Sequence, residues 1–204
     1  DLAIDSTRGS RSGRLLLLLS GARHLLGLPG SKRELREGGS AWKTALAHAP
    51  GHFSLDGVYA LRCAMGLPFP DQEESWPPLR IHLGAEQRAS GRALLLDLLG
   101  HEPDGNHRVI ALFPNATGSK RLCSEWWLAL VDALTTAHPE LRFIEMLPAH
   151  GQSQLQSRFP AFYSSNVRRM AAVLAQCDGY VSADCGVMHL ACAAGVPTLG
   201  LFTR

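Results

Sequence analysis

The chain has 204 residues, 46% of them hydrophobic and 19% charged, which is enough apolar material to bury the core of one domain or of two small ones. The net charge of +2 and the lack of a long basic run or a base-stacking motif argue against a nucleic-acid-binding protein. The leucine run 15–19 is far shorter than the roughly 20 residues of a membrane span. It therefore predicts a buried helix and not an anchor.

The first part of the chain alternates between strand and helix. Apolar residues predict strands over 2–4 and 25–28, with a helix over 11–19 between them. Gly38-Gly39-Ser40 marks an irregular loop, and a further helix is predicted over 55–65.

A proline-rich, acidic stretch over 66–78 then interrupts the pattern, and a helix is predicted over 86–99. The polar segment 101–107, which contains Pro103 and Gly105, marks the entry to the next domain. We therefore divide the chain into a first domain over 1–84, a linker with its helix over 85–106, and a second domain over 107–204.

The second domain shows a regular strand and helix alternation. Helices are predicted over 125–137, 166–176 and 187–194, and they lie between strands predicted over 108–113, 141–147, 179–183 and 198–202. This pattern is typical of a parallel, Rossmann-like sheet with helices on both faces.

A small polar loop follows the strand over 108–113. It contains Gly118 and Lys120, and a helix begins close to Ser124. Loops of this kind offer free backbone amides, and a lysine adds a mobile positive charge, so the loop suits a phosphate or diphosphate. The spacing is not that of a Walker loop. The alternative is that Lys120 is an ordinary solvated surface lysine.

A second polar element follows the strand over 179–183. Asp184 stands at the carboxyl end of that strand, where open parallel sheets bind ligands. Gly186 permits a tight turn, so the first amides of the next helix can face an anion. His189 lies one turn further on. The alternative is that Asp184 only caps its own helix.

The cysteines give a different alternative. Cys185 at a helix start, with His189 four residues later, could form the nucleophile and base of a hydrolase, but the lysine loop would then have no role. The five cysteines show no Cys-x-x-Cys pair and no zinc spacing, so no metal site is predicted. We interpret them as small buried residues in a reducing compartment.

Together, the lysine loop and the later Asp-x-Gly-x-x-His-Leu helix resemble glycosyltransferase family 9, which includes the bacterial ADP-heptose:lipopolysaccharide heptosyltransferases. The strand-to-helix step at residues 1–12 and the helix near 52–67 resemble the N-terminal domain of that family. The resemblance is dense over 107–204 and loose over 1–80. It implies a GT-B-type α/β fold of two Rossmann-like domains.

The resemblance also implies a function. The donor would be a nucleotide-diphospho-sugar, with ADP-heptose favoured, and the acceptor would be the anionic core of lipopolysaccharide at the membrane surface. Transfer would invert the anomeric centre in one displacement, without a cofactor or metal. The implied location is the cytoplasm, with attachment to the inner membrane left open. A non-catalytic nucleotide-sugar-binding module and a transferase for another sugar remain as alternatives.

Site residues are carried over from the family motifs. Lys120 would contact the donor diphosphate or sugar and stabilise the leaving group. Arg11 and Arg33 would contact the acceptor, in agreement with the basic bias of the first forty residues. The remaining donor-binding candidates are Asn115, Ala116, Thr117, Gln154, Asp184, Cys185, Gly186 and His189.

This chain departs from the family in two respects. Relatives often hold the nucleotide ribose with a glutamate where this chain has the polar segment 150–154, in which Gln152 or Gln154 could bind a diol as a neutral group. The family's general base is an aspartate in the first strand-to-helix loop of the N-terminal domain, and the match begins after that loop. We therefore expect a fragment in which both domains are truncated, with the base upstream.

Overall fold

The computed structural model of the protein describes residues 1–5, 10–27, 55–68, 76, 78–100, 106–149 and 151–202. These residues fall into two units, which divide between Pro77 and Pro78. The boundary therefore lies before the segment that leads into the helix over 85–99, and that helix belongs to the second unit.

The first unit contains a parallel strand pair joined through a helix. Its elements are β1 (Leu2–Asp5), α1 (Arg11–Leu19), β2 (His24–Gly27) and α2 (Asp56–Ala64). β1 and β2 pair in parallel, with Leu2 opposite His24. Ser10 caps α1, because its Oγ accepts a hydrogen bond from the Gly13 amide at 3.0 Å. The small core of this unit is built around Tyr59, Ala60 and Trp76.

The prediction that residues 15–19 form a buried helix is half wrong. The helix is present, but Leu15, Leu16, Leu18 and Leu19 are 56–72% exposed. Leucine favours a helix whether it is buried or exposed, so the leucine run specifies the helix but not its burial.

The second unit is a doubly wound α/β unit with a five-stranded parallel sheet. A 3-10 turn (Gly118–Lys120) follows the first strand. The other elements are α3 (Ala85–Leu99), β3 (Arg108–Phe113), α4 (Ser124–Ala137), β4 (Leu141–Met146), β5 (Ala161–Phe162), α5 (Val167–Leu174), β6 (Gly179–Ala183), α6 (Gly186–Ala194) and β7 (Thr198–Leu201).

The strand order is β5-β4-β3-β6-β7, and every neighbouring pair is parallel. The chain runs outward from β3 to β5, returns across the sheet, and continues outward from β6 to β7. The order reverses between β3 and β6, so the carboxyl ends of these two strands border a crevice in which such sheets bind ligands.

Each face of the sheet buries its own core, because alternate residues of a strand point to opposite faces. Ala111 and Phe113 pack with Ile144 and Tyr180 in one cluster, which also contains residues of α5 and α6. Leu112 packs in the other cluster with Trp127 of α4. This confirms the predicted parallel sheet with helices on both faces.

The predicted strands and helices of this unit agree with the observed ones to within two residues at each end. The prediction missed β5, which has only two residues and no periodicity of its own. It forms because β4 supplies its partners: the Glu145 amide donates to Pro160 O and the Leu147 amide to Phe162 O, both at 2.9 Å.

Helix α3 packs directly on α5. A Cβ atom added to Gly91 would lie 2.1 Å from the backbone oxygen of Ala172, so only glycine allows this close approach.

We therefore predict that Gly91→Ala lowers the free energy of unfolding by about 1–3 kcal/mol, as overpacking does, although alanine normally favours a helix. Ser90→Ala, at the exposed neighbouring position of the same helix, should be neutral or slightly stabilising. Urea unfolding of both variants tests this, and a Gly91→Ala protein as stable as wild type would contradict the packing.

Candidate active site

The site lies where β3 and β6 end side by side. Phe113 is paired with Ser182 in the sheet, so the loops that begin at Pro114 and Asp184 leave the same edge next to each other. Both loops are polar, and each leads into a helix. The strand pairing thus brings together two motifs that are distant in the sequence.

An ion pair joins the two loops. Lys120 Nζ donates to Asp184 Oδ2 at 2.5 Å, and His189 Nε2 lies 3.9 Å from Asp184 Oδ1. The hydrogen bond from Lys120 is the main reason that the pKa of Asp184 lies below its usual value, and the electrostatic interactions of Asp184 with Lys120 and His189 add to the effect. Asp184 is therefore an anion held opposite a partly exposed cation.

Asp184 does not cap its helix. The residue at the N-cap of α6 is Cys185, which makes no side-chain capping bond, and the Asp184 carboxylate pairs with Lys120 instead. The capping alternative thus does not account for the position of Asp184. In an α-helix the first N–H groups have no partner within the helix, so the amides at Gly186 and Val187 can bind an external acceptor.

The contacts of Cys185 differ from those of a nucleophile paired with a base. Its Sγ lies 3.7 Å from Ser182 Oγ and 4.0 Å from Tyr180 Oη, whereas the His189 ring is directed at Asp184. This arrangement does not support the hydrolase alternative. The expectation of buried cysteines holds for Cys177, while Cys123 and Cys192 are exposed and so correct it.

A cavity of about 790 Å³ opens beside these loops. Its walls are mainly apolar, with basic side chains at several points. It is lined by Leu79, Arg80, Ile81, His82, Phe113, Asn115, Thr117, Pro148, Ser164, Val167, Arg168, Met170, Cys185, Gly186, Val187, His189, Leu190 and Ala193. A volume of this size falls within the range of about 300–1,000 Å³ that is common for small-molecule sites.

Five of the predicted donor-binding residues line this cavity: Asn115, Thr117, Cys185, Gly186 and His189. Asn115 is the most informative, because its Nδ2 atom is buried and has no hydrogen-bond partner among the residues that the structure describes. An unsatisfied buried donor costs about 1–3 kcal/mol, which an oxygen of a bound ligand would recover.

The other candidates, Lys120 and Asp184 among them, are not in the lining of this cavity. Ala116 is buried, and its amide donates to Pro114 O at 3.3 Å. Gln154 Oε1 accepts hydrogen bonds from Arg121 and Ser124. Arg11 is the exposed first residue of α1 in the first unit. Arg33 lies outside the described residues.

Sequence reasoning missed the basic side chains on the far wall of the cavity. Arg168 follows the Asn166 cap of α5, and its Nη1 donates to the carbonyl of His82 at 2.6 Å. The segment 78–82 is fixed to α6 by a hydrogen bond from the Ile81 amide to Ala193 O at 2.8 Å. The Asn166 cap could have placed Arg168 in the first turn of α5, which begins after the carboxyl end of β5. No local signal places segment 78–82 against α6.

Within the described residues, no three His, Cys, Asp or Glu side chains are grouped closely enough to hold a metal ion. Over the same residues, no helix is both long and apolar enough to cross a membrane.

The geometry of the site agrees with the resemblance of the sequence to a glycosyltransferase family. A comparison with family models identifies that family. The model of "Glycosyltransferase family 9 (heptosyltransferase)" matches residues 1–204. The chain belongs to glycosyltransferase family 9. The family recognised from the lysine loop and the Asp-x-Gly helix is thereby confirmed.

Solved structures with the same fold confirm the GT-B-type α/β class. A glycosyl transferase family 9 protein from Veillonella parvula has a TM-score of 0.64 at 14% identity, covering 98% of this chain and 56% of that one. E. coli ADP-heptose lps heptosyltransferase II has a TM-score of 0.56 at 17% identity, covering 98% and 61%. E. coli heptosyltransferase WaaC, solved with ADP-2-deoxy-2-fluoro heptose, has a TM-score of 0.51 at 19% identity, covering 75% and 46%.

The chain thus spans 56% and 61% of the lengths of the first two of these proteins. Among curated proteins, none matches it.

We predict that Lys120→Ala raises the pKa of Asp184 towards the ordinary value of an aspartate, because the main stabilising hydrogen bond is lost. His189→Ala should raise it less. A ¹³C NMR titration of the Asp184 carboxyl measures both shifts.

The direction of this pKa shift also determines how the stability of the protein depends on pH. Because the pKa is lowered in the folded state, the stabilisation from Asp184 is complete above the unfolded pKa and is lost as the pH falls through the folded pKa. The stability difference between wild type and Asp184→Asn should therefore shrink in acid. A difference that stays constant down to low pH would contradict the ion pair.

Proposed function

We propose that this chain is the donor-binding part of a heptosyltransferase that moves heptose from ADP-heptose to the inner core of lipopolysaccharide. The observation that carries the proposal is the pair formed by Lys120 and Asp184 at the switch point of the sheet. Membership of family 9 and the likeness to an E. coli protein titled ADP-heptose lps heptosyltransferase II support it.

The proposal gives the members of the pair different partners in the complex. Lys120, which is half exposed, binds the diphosphate, because an ammonium group is a compact charge that suits phosphate oxygens. Asp184 then accepts hydrogen bonds from hydroxyl groups of the sugar, because both oxygens of an ionised carboxylate are acceptors. Each charge thus exchanges its protein partner for a ligand partner.

The cavity accounts for the rest of the donor. Its apolar wall, formed in part by Leu79, Ile81 and Leu190, suits the flat face of a base. Asn115 Nδ2 and the first amides of α6 supply donors for oxygen atoms of the ribose or the phosphates.

In the proposed reaction, an acceptor hydroxyl oxygen attacks the anomeric carbon from the face opposite the diphosphate. The bond from that carbon to the diphosphate oxygen breaks, and its electron pair leaves on ADP, so the configuration inverts. Lys120 and the α6 amides stabilise the charge that develops on the leaving oxygen. The acceptor proton passes to a general base, and we assign none of the described carboxylates to that role.

The acceptor side of the proposal rests on charge. Arg11 lies on the exposed surface of α1, and the first forty residues have a basic bias. A phosphorylated lipopolysaccharide core is anionic and would be attracted to such a surface. We propose Arg11 and Arg33 as acceptor contacts.

The proposal predicts that Asp184→Asn separates the sugar from the nucleotide. Charge-assisted hydrogen bonds are about twice as strong as neutral ones, so this variant should lose affinity for ADP-heptose far more than for ADP. Isothermal calorimetry with both ligands measures the two losses. Equal losses for both would remove Asp184 from the sugar site.

Lys120→Ala should weaken ADP binding or slow transfer by about 10- to 1,000-fold, because a positioned cation typically contributes a few kcal/mol at a charged leaving group. Arg108→Ala is the matched control, since Arg108 pairs with Asp178 at the opposite end of β3. Unchanged kinetics in Lys120→Ala would contradict its role. Tight donor binding without any transfer to lipopolysaccharide would instead indicate a non-catalytic module.

A further inference from the structure

A short irregular segment over 151–158 connects the end of β4 to β5 and lies beside the lysine loop. Its central residue, Leu155, is fully buried in the core above the sheet. Gln156 and Ser157 both have a φ of 55°, a left-handed conformation that non-glycine residues seldom adopt. A segment with this backbone keeps its shape only when other contacts hold it.

Glu145 supplies those contacts from inside the sheet. Its side chain is fully buried on β4, and both carboxylate oxygens bond to the segment. Ser153 Oγ donates to Oε2 at 2.5 Å, and the Gln154 amide donates to Oε1 at 2.9 Å. Ser153 Oγ in turn accepts from the amides of Leu155 and Ser157, at 3.1 and 2.8 Å. One buried carboxylate therefore anchors the whole turn.

The acceptor-only chemistry of a carboxylate is required at this position. Both groups that face Glu145 are donors, and Ser153 Oγ already accepts two amide hydrogens. A glutamine side chain would have to place its NH₂ group against one of these donors, whichever way it turned. Burying a carboxylate costs free energy, and these directed hydrogen bonds offset that cost.

The anchored segment reaches the lysine loop through Gln154. Its Oε1 accepts from Arg121 Nη2 at 2.6 Å and from Ser124 Oγ at 3.1 Å. Arg121 directly follows Lys120 and closes the 3-10 turn, with its amide donating to Gly118 O at 3.3 Å. Ser124 is the first residue of α4. Gln154 thus holds the loop on one side of Lys120, and Asp184 holds it on the other.

We propose that Glu145 is a positioning residue: through Ser153 and Gln154 it fixes Arg121, and thereby holds the neighbouring Lys120 opposite Asp184. The inference rests on the proposed function, because Lys120 is assigned there to the donor diphosphate. We assign Glu145 no contact with the donor or the acceptor, and it acts through the loop.

Gln154→Ala is the decisive variant. It removes the link to Arg121 but exchanges one neutral residue for another, so it changes no formal charge near Lys120 and Asp184. Glu145→Gln tests the anchor itself, and Gln154→Ala decides the question if Glu145→Gln does not fold. Asp132→Asn is the matched control, because Asp132 pairs with Arg158 at the far end of the same segment.

Three quantities are measured for each protein: the pKa of the Asp184 carboxyl by ¹³C NMR titration, ADP affinity by calorimetry, and the midpoint of thermal unfolding. We expect Gln154→Ala to raise the pKa of Asp184 and to weaken ADP binding by about 10-fold, the lower end of the contribution of a charge-assisted hydrogen bond. Its unfolding midpoint should match that of Asp132→Asn, which should keep the pKa and the affinity of wild type.

The two proposals can fail separately. An Asp184 pKa in Gln154→Ala equal to that of wild type would overturn the positioning role, whatever the ADP affinity. A wild-type protein that binds neither ADP nor ADP-heptose would contradict the proposed function. The titration needs no ligand: in Gln154→Ala it still tests the link to Arg121, and in Glu145→Gln it tests the anchor.

Discussion

The parallel pairing of β3 with β6 is the constraint on which the rest of the site depends. It sets Phe113 opposite Ser182, so both strands release their chains at one edge. Lys120 and Asp184, 64 residues apart in the sequence, can then meet at 2.5 Å. Without this strand pairing the two side chains would not meet, and each loop alone would offer only a solvated charge.

The two faces of the sheet position the two loops by different means. α6 follows β6 directly and packs on the core that contains Tyr180 and Met188, so the start of that helix is fixed by apolar contacts. The lysine loop is longer and largely exposed, and hydrogen bonds hold it instead. Arg121 of this loop donates to the Gln154 side chain, and the Gln154 amide donates to Glu145 inside the sheet. Apolar packing thus positions the loop before α6, and directed hydrogen bonds position the lysine loop.

An ion pair between the two proposed ligand-binding groups also has a consequence for binding. Lys120 and Asp184 satisfy each other before a donor arrives, and a negative diphosphate must compete with a carboxylate for the ammonium group. The exchange needs a new partner for each group, and under the proposed function it is more favourable for a ligand that offers both a phosphate to Lys120 and hydroxyl groups to Asp184. A diphosphate attached to a sugar meets both requirements, and a phosphate alone meets one of them.

The sequence by itself determined the fold class, the strand and helix alternation, the lysine loop and the Asp-x-Gly helix, because periodicity and short motifs are local properties of the chain. It predicted Asn115, Gly186 and His189 at one edge, because the carboxyl ends of parallel strands converge there, and all three line the same cavity. Only the tertiary structure decided which helix face is covered at 15–19, that Asp184 pairs with Lys120 and does not cap α6, and that Gln154 faces Arg121. These outcomes depend on partners distant in the sequence, and no local pattern carries that information.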